Sequence, residues 1–474
     1  MAHSPKKRGT ITDGVIWQQL LLFFFPIWFG SFFQQLYNTT DAIIVGQFCG
    51  KQALSAVGGT TGVLINLLVG FFVGLSSGAT VIIAQFFGAR LDGEVNRAVH
   101  TAIALSIAGG AVLMVLAFCL APTALRATGT PDDVIDYAIT YLRIYSLGMI
   151  PNLVYNIGAG ILRAIGDSKR PLWFLIFSCG VNIVLDILFV AVLRWEVMGV
   201  AVATVLSQTA SAVMVLFVLM RTRECYRLFP RRIRLDLGLL QSIFRIGLPA
   251  GLQSVMYNIS NVIIQTNINA LGTDTVAAWA AYGKIDGLFW MMISAFGISI
   301  TTFVGQNFGA KNYGRVQRGV KVCFGMAAGA TVALSLILCL LGGTVYRIFI
   351  QDPTVVGIGT EILYYLVPTF ITYVAIEIFS SALRGMGDSL IPMIMTCVGI
   401  CGFRMIWLFA VVPQYPSLQT IVMSYPISWT ITSIIFAIYY SRRNKAKRLL
   451  KAQAAAQAGS EQINEERTVN RDVS

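Results

Sequence analysis

Residues 85–90 read Gln-Phe-Phe-Gly-Ala-Arg, and the pattern comes back in the second half of the chain as Gln306-Asn307-Phe308-Gly309-Ala310-Lys311. Gly93, Val95, Arg97 and Val99 return at the same offset as Gly314, Val316, Arg318 and Val320. A second block, Leu162-Arg163, Gly166-Asp167-Ser168 and Pro171, returns as Leu383-Arg384, Gly387-Asp388-Ser389 and Pro392. Two blocks that keep one offset without a gap mark an internal duplication. Singly, these residues read as helix punctuation: Gly for tight turns, Pro at a helix start, basic residues for orientation. Together they predict two matched halves.

Working outward, apolar stretches of about 20 residues recur, each able to cross a hydrocarbon layer about 30 Å thick. They predict helices near 16–46, 55–87, 97–121, 133–161, 171–193, 197–221, 241–270, 278–308, 318–341, 355–383, 391–413 and 417–441. The first is too long for a secretory signal peptide and lacks a small-residue cleavage site. Composition agrees with membrane burial. The chain is 56% hydrophobic and 12% charged, with a mean hydropathy of +0.71; a soluble domain carries about 25% charged residues. The fold class is therefore all-α and polytopic, with about twelve transmembrane helices in two pseudo-symmetric six-helix lobes. Residues 1–220 form the first lobe, 221–240 a cytoplasmic linker, 241–441 the second lobe, and 442–474 a basic cytoplasmic tail, helical at first and disordered at its end. With six spans per half, both halves enter from the same side. Their axis runs along the membrane normal, with the ligand path between them.

Charge orients the bundle. With the N-terminus inside, 28 of the 35 Lys and Arg residues fall on inner segments, including seven between Arg221 and Arg245. This places both termini in the cytoplasm, in a bacterial inner membrane. The formal charge of +13 is thus a topology signal. Its counter-charge is the lipid bilayer, and nucleic acid is not an expected partner. Two histidines and eight scattered cysteines give neither a metal cluster nor a disulfide framework. No phosphate-binding loop is present, so an ion gradient must supply the energy.

Polar residues at membrane depth point to function, because a carboxyl there costs about 2.5–3.5 kcal/mol even on lenient scales. Gln34, Asn38 and Asp41, spaced by four and three, share one face of the first helix; Asn182 and Asp186 share a face of the fifth. The two acids could share a proton or hold a small hard cation. The plainer alternative has Asp41 capping a helix and Asp186 in a structural pair. On the seventh helix Gln253, Tyr257, Asn261 and Gln265 form a neutral stripe, for substrate or for neighbouring helices. Met291 and Met292 on the eighth would add an adaptable wall. Glu377 and Arg404 are expected to form a salt bridge between helices ten and eleven; otherwise Glu377 is a second proton or substrate group. Lys284 and Asp286 read as an outer-rim pair. Gly74-Leu75-Ser76-Ser77-Gly78 fits a hydrolase elbow but lies mid-helix; Gly70, Gly74 and Gly78 read instead as a packing stripe.

These residues resemble the MATE (multidrug and toxic compound extrusion) family of secondary antiporters over roughly residues 15–440. The carriers are Pro26…Gln34-Gln35-Leu36-Tyr37-Asn38…Asp41…Val45-Gly46, the two Gln-x-x-Gly-Ala blocks, the two Leu-Arg-x-x-Gly-Asp blocks, Asn182-x-x-x-Asp186 and Gly247-Leu248-Pro249. The resemblance implies a proton or Na⁺ site at Asp41, Asn182, Asp186 and Thr204. It implies no cofactor beyond that coupling ion, and a monomer exporting small organic compounds by alternating access. The NorM-like branch has a seventh-helix carboxylate eight residues after the Pro; Tyr257 stands there, so the chain looks closer to the DinF-like branch. Three rivals remain. A lipid-linked oligosaccharide or lipid flippase would need a strongly cationic cavity, an intramembrane enzyme lacks a catalytic constellation, and a channel would not drive uphill transport.

Overall fold

The computed structural model describes residues 11–443 together with 446, 448–450, 452, 453 and 455; the expected disorder at the end of the tail lies outside them. The first half contains α1 (Ile16–Phe48), α2 (Gly50–Gly58), α3 (Thr60–Gly88), α4 (Asp92–Ala127), α5 (Ile135–Leu147), α6 (Met149–Ala164), α7 (Lys169–Asp186) and α8 (Glu196–Arg221). The second contains α9 (Leu237–Asn269), α10 (Thr273–Gly309), α11 (Tyr313–Phe349), α12 (Pro353–Leu366), α13 (Phe370–Gly385), α14 (Leu390–Thr396), α15 (Phe403–Ala410) and α16 (Leu418–Arg443). Among the described residues, ten stretches are long and apolar enough to cross a membrane. With the α5–α6 pair, broken at Gly148, and the more polar α9, they make up the twelve predicted spans. Several helices overrun those predictions: α4 begins at Asp92 and α11 at Tyr313. Hydropathy registers only the part inside lipid, whereas backbone hydrogen bonds carry the helix on into the headgroup layer.

The duplication is written into the helix ends. The offset that carries Gln85 onto Gln306 also carries both ends of α1 onto both ends of α9, and the end of α3 onto the end of α10. Arg90 and Lys311, offset partners, are both left-handed, at φ 58° and 59°. There Leu91 N–H donates to Phe86 O and Asn312 N–H to Asn307 O, closing identical C-terminal caps. Gly166 and Gly387 repeat the device at φ 101° and 86°. The punctuation reading of the blocks is therefore correct locally.

Two residues of those blocks also join the lobes. Gln85 Nε2 donates to Gly385 O at 2.8 Å, and its offset partner Gln306 donates to Ala164 O at 2.7 Å. Ala164 and Gly385 are themselves offset partners, so the clasp is reciprocal. Between the lobes Gly74 lies against the Gly251 backbone and Gly78 against Gly247, so a side chain at any of these would strike main chain. The stripe on α3 thus packs lobe to lobe, along α9. Gly70 faces Ser254. The cross-lobe bonds from Arg315 to the Ile11, Asp13 and Gly14 carbonyls, and from the Ile11 N–H to Gln306, lie in the same half of the bundle as the clasp.

Each lobe has its own apolar core, and the two differ. The first is split into a cluster around Ile83, Val99 and Leu162 and another around Val45, Leu125 and Val200. The second is dominated by one large cluster through Phe289, Phe303, Phe370 and Trp429. Leu20, Phe23, Phe24 and Ile27 of α1 belong to that second-lobe core, with Phe24 stacked on Phe296 at 4.2 Å.

Candidate functional site

Between the two apolar clusters of the first lobe lies a polar layer. Asp41 (6% exposed), Asn182 and Asp186 (both 0%) and Thr204 (1%) converge there from α1, α7 and α8. The spacing of four between Asn182 and Asp186 points both inward from α7, which passes into a π-helical turn at Ile187–Val192 directly after Asp186. The Asp41 carboxyl is faced by the side chains of Asp186, Asn182 and Thr204. Thr204 Oγ1 stands 3.5 Å from Asp41 Oδ2, long for a hydroxyl–carboxylate bond, which is about 2.5–2.7 Å when tight. Asp41 Oδ1, both carboxylate oxygens of Asp186, and Oδ1 and Nδ2 of Asn182 are buried without a hydrogen-bond partner. Leaving one such group unpaired costs about 1–3 kcal/mol. Five gathered at one point are not a packing device.

Three tyrosines surround this group: Tyr37, part of the first-helix run that carries the resemblance, and Tyr141 and Tyr145, which sequence reading missed. Tyr37 and Tyr141 approach both Asp41 and Thr204, and Tyr145 lies within the same field. Gln208 Nε2 reaches Tyr145 Oη at 3.5 Å. Tyr37 and Gln208 then line a cavity of about 230 Å³ with Gln34, Asn152, Asn156 and, at its far end, Arg163. Asn156 Nδ2 donates to Asn152 Oδ1 at 3.0 Å, fixing that wall. Of the predicted first-helix face, Gln34 lines the cavity, whereas Asn38 is exposed and stands outside it.

In the second lobe the predicted residues disperse. Gln253 Nε2 donates to Thr396 Oγ1 at 3.4 Å and Tyr257 Oη meets Tyr373 Oη at 3.1 Å, tying α9 to α14 and α13. Gln265 bonds Asn269 on its own helix, and Asn261 is exposed. Met291 is half-buried, and none of these five lines the first-lobe cavity.

Two expectations need correcting. Glu377 and Arg404 form no salt bridge: Glu377 accepts from Ser381 Oγ at 3.1 Å and is faced by Arg384. Arg404, 1% exposed, stacks 3.9 Å over the Tyr425 ring and donates from Nε to Ser428 at 3.3 Å. An aromatic face and a hydroxyl thus take the place of the carboxylate. Nor is Asp286 a rim residue paired with Lys284. It lies well inside α10 and accepts from Tyr282 Oη at 3.2 Å and Trp290 Nε1 at 2.7 Å. Lys284, two positions before it, points from another side of the helix and is exposed.

Chemically, the first-lobe group offers two carboxylates, an amide and a hydroxyl. No trio of His, Cys, Asp and Glu is gathered among the described residues. An all-oxygen donor set suits a proton or a hard cation better than a transition metal.

A sequence profile of the MatE family matches residues 26–188 and 249–409, one stretch in each half. The chain is 25% identical over 446 residues to "Probable multidrug resistance protein YoeA" of Bacillus subtilis (strain 168), covering 92% of this chain and 96% of that one. To "Probable multidrug resistance protein YpnP" of the same organism it is 29% identical over 364 residues, covering 76% and 80%. Among solved structures, the outward-facing conformation of a multidrug resistance MATE family transporter of the MOP superfamily superposes with a TM-score of 0.86 at 23% identity, covering 95% of this chain and 100% of the other. At that identity the likeness speaks to fold, and the fold is the two-lobed bundle.

Proposed function

The chain belongs to the MatE family, and on that premise we propose that it is a cation-coupled antiporter that exports small organic, cationic or amphipathic compounds by alternating access. One observation carries this reading: Asp41 Oδ1 and both carboxylate oxygens of Asp186 are buried without a hydrogen-bond partner, one tyrosine away from a cavity in the same lobe. A proton or Na⁺ among Asp41, Asn182, Asp186 and Thr204 would satisfy those groups. It would also change the packing of α1, α7 and α8, and through them the cavity. Substrate and ion then compete through the conformational equilibrium, each shifting it by its differential affinity for the two states. The joined end of the bundle carries the Arg90 and Lys311 caps, so the positive-inside rule puts it in the cytoplasm.

Within the family we place the chain nearer the DinF-like branch, with its ion chemistry in the first lobe, because Tyr257 stands where a seventh-helix carboxylate would. A flippase for lipid-linked sugars is not favoured: the cavity holds a single guanidinium, Arg163, rather than the several that a pyrophosphate needs.

The test is efflux of a cationic dye from proteoliposomes, with an H⁺ or a Na⁺ gradient imposed separately. One gradient should drive accumulation against the dye's own gradient. Movement that is only downhill under both would mean a channel.

A further inference from the structure

Outside the membrane-spanning core, the connection between the lobes folds back onto α4. Asn96 Nδ2 donates to Cys225 O at 3.0 Å and Arg227 O at 2.9 Å. His100 is buried, with Nδ1 2.7 Å from Asn96 O, and Nε2 accepts the Phe229 N–H at 3.0 Å. Arg97 bridges Glu94 at 2.8 Å and Asp236 at 2.5 Å, and holds the Asp236 carboxyl below its usual range. This frame encloses a cavity of about 360 Å³ whose wall includes Arg97, Arg231, Arg232 and Arg234. Asp236, the one carboxylate on it, is already engaged by Arg97. Arg231, Arg232 and Arg234 are exposed and make no ion pair among the described residues.

The cavity lies at headgroup level. Helix α4 has 36 residues, about 54 Å of helix against a hydrocarbon core of about 30 Å, so its first turns stand outside the core. Leu235 and Leu237, 45% and 79% exposed, flank Asp236. Arginines that reach polar headgroups beside leucines that reach acyl chains are the side-chain pattern of a lipid contact. A guanidinium fork matches phosphate oxygens in pairs.

We propose that the cavity between α4 and residues 231–236 binds the phosphate of an anionic phospholipid, with Arg231, Arg232 and Arg234 as its ligands. The inference rests on the membrane placement of these helices and not on the transport reading.

The test uses the full chain in nanodiscs, with spin-labelled phosphatidylglycerol and phosphatidylcholine as probes. Phosphatidylglycerol should be retained about tenfold more strongly. The variant R231Q/R232Q/R234Q should lose that preference, while R221Q/R223Q/R245Q, which removes equal charge outside the cavity, should keep it. Equal loss in both variants means diffuse attraction and overturns the site. Displacement of the lipid by millimolar inorganic phosphate means a soluble-anion site and overturns the lipid assignment. Should the glutamine variant not be recovered folded, R231K/R232K/R234K keeps the charge and removes the fork. Its preference should fall at least threefold, and an unchanged preference overturns the proposal.

Discussion

The two lobes share a frame and differ at its centre. Where they touch, they are copies: α1 and α9 coincide end for end under the duplication, the left-handed caps repeat, and Gln85 and Gln306 each donate to a carbonyl of the opposite lobe, Gly385 and Ala164. Where the first lobe gathers Asp41, Asn182, Asp186 and Thr204, the same offset reaches Val262, Phe403, Trp407 and Tyr425. The π-helical turns differ too, following Asp186 in one lobe and Thr396 in the other. One core is cut by a polar layer; the other is dominated by one large apolar cluster. Symmetry is kept where the lobes must fit each other and given up where a charge must be held.

The sharpest way to break this comparison is Asp41→Asn. The protein should insert and fold, and gradient-driven dye efflux should fall to background. Full efflux would remove the polar layer from coupling. Next, Gly74→Leu or Gly247→Leu should cut transport by more than about tenfold, because a side chain there meets the opposing backbone and holds the closed end apart. A cysteine at position 89, in a background freed of native cysteines, would report it by faster labelling with an impermeant maleimide. Unchanged labelling and transport would mean that the interface tolerates bulk.

A smaller effect is expected from Gln85→Leu and Gln306→Leu. Each removes one bond of the clasp, worth about 1 kcal/mol, or about a fivefold shift between states. Read by the same labelling, Gln306→Leu should shift the states further than Gln85→Leu, because it also leaves the Ile11 N–H, which donates to Gln306 Oε1 at 3.2 Å, without its acceptor; no shift from Gln85→Leu would break the symmetry of the clasp. Smallest on coupling are Glu377→Gln and Asp286→Asn, which should keep uphill transport while losing about 1–3 kcal/mol of stability, read as a lower thermal midpoint. If either uncouples efflux as fully as Asp41→Asn, both lobes carry ions.

The sequence made the frame legible because periodicity and offset are one-dimensional signals. Twelve spans, two halves and the faces bearing Asp41, Asn182 and Asp186 all follow from spacing along the chain. What faces what across helices does not. Arg404 had a carboxylate within plausible reach and an aromatic ring closer; only packing decides between them. Asp286 looked like a rim residue because Lys284 stands two positions away, although two positions on a helix point to different sides. Tyr37, four residues before Asp41, shares its helical face, whereas nothing in the spacing of Tyr141 and Tyr145 ties them to the acids of other helices. Gln85 and Gln306 were legible as repeats, but the carbonyls they reach, on Gly385 and Ala164, lie far off in the opposite half of the chain.

The strap between the lobes also bears on biosynthesis. Its ties to α4, from Asn96 to Cys225 and Arg227 and from His100 to Phe229, use only residues made before α9 has left the ribosome. Asp236, held by Arg97, then accepts the Leu239 N–H and so caps the first turn of α9. The first half of the chain, once inserted, therefore presents the starting point and heading from which the second half enters the bilayer.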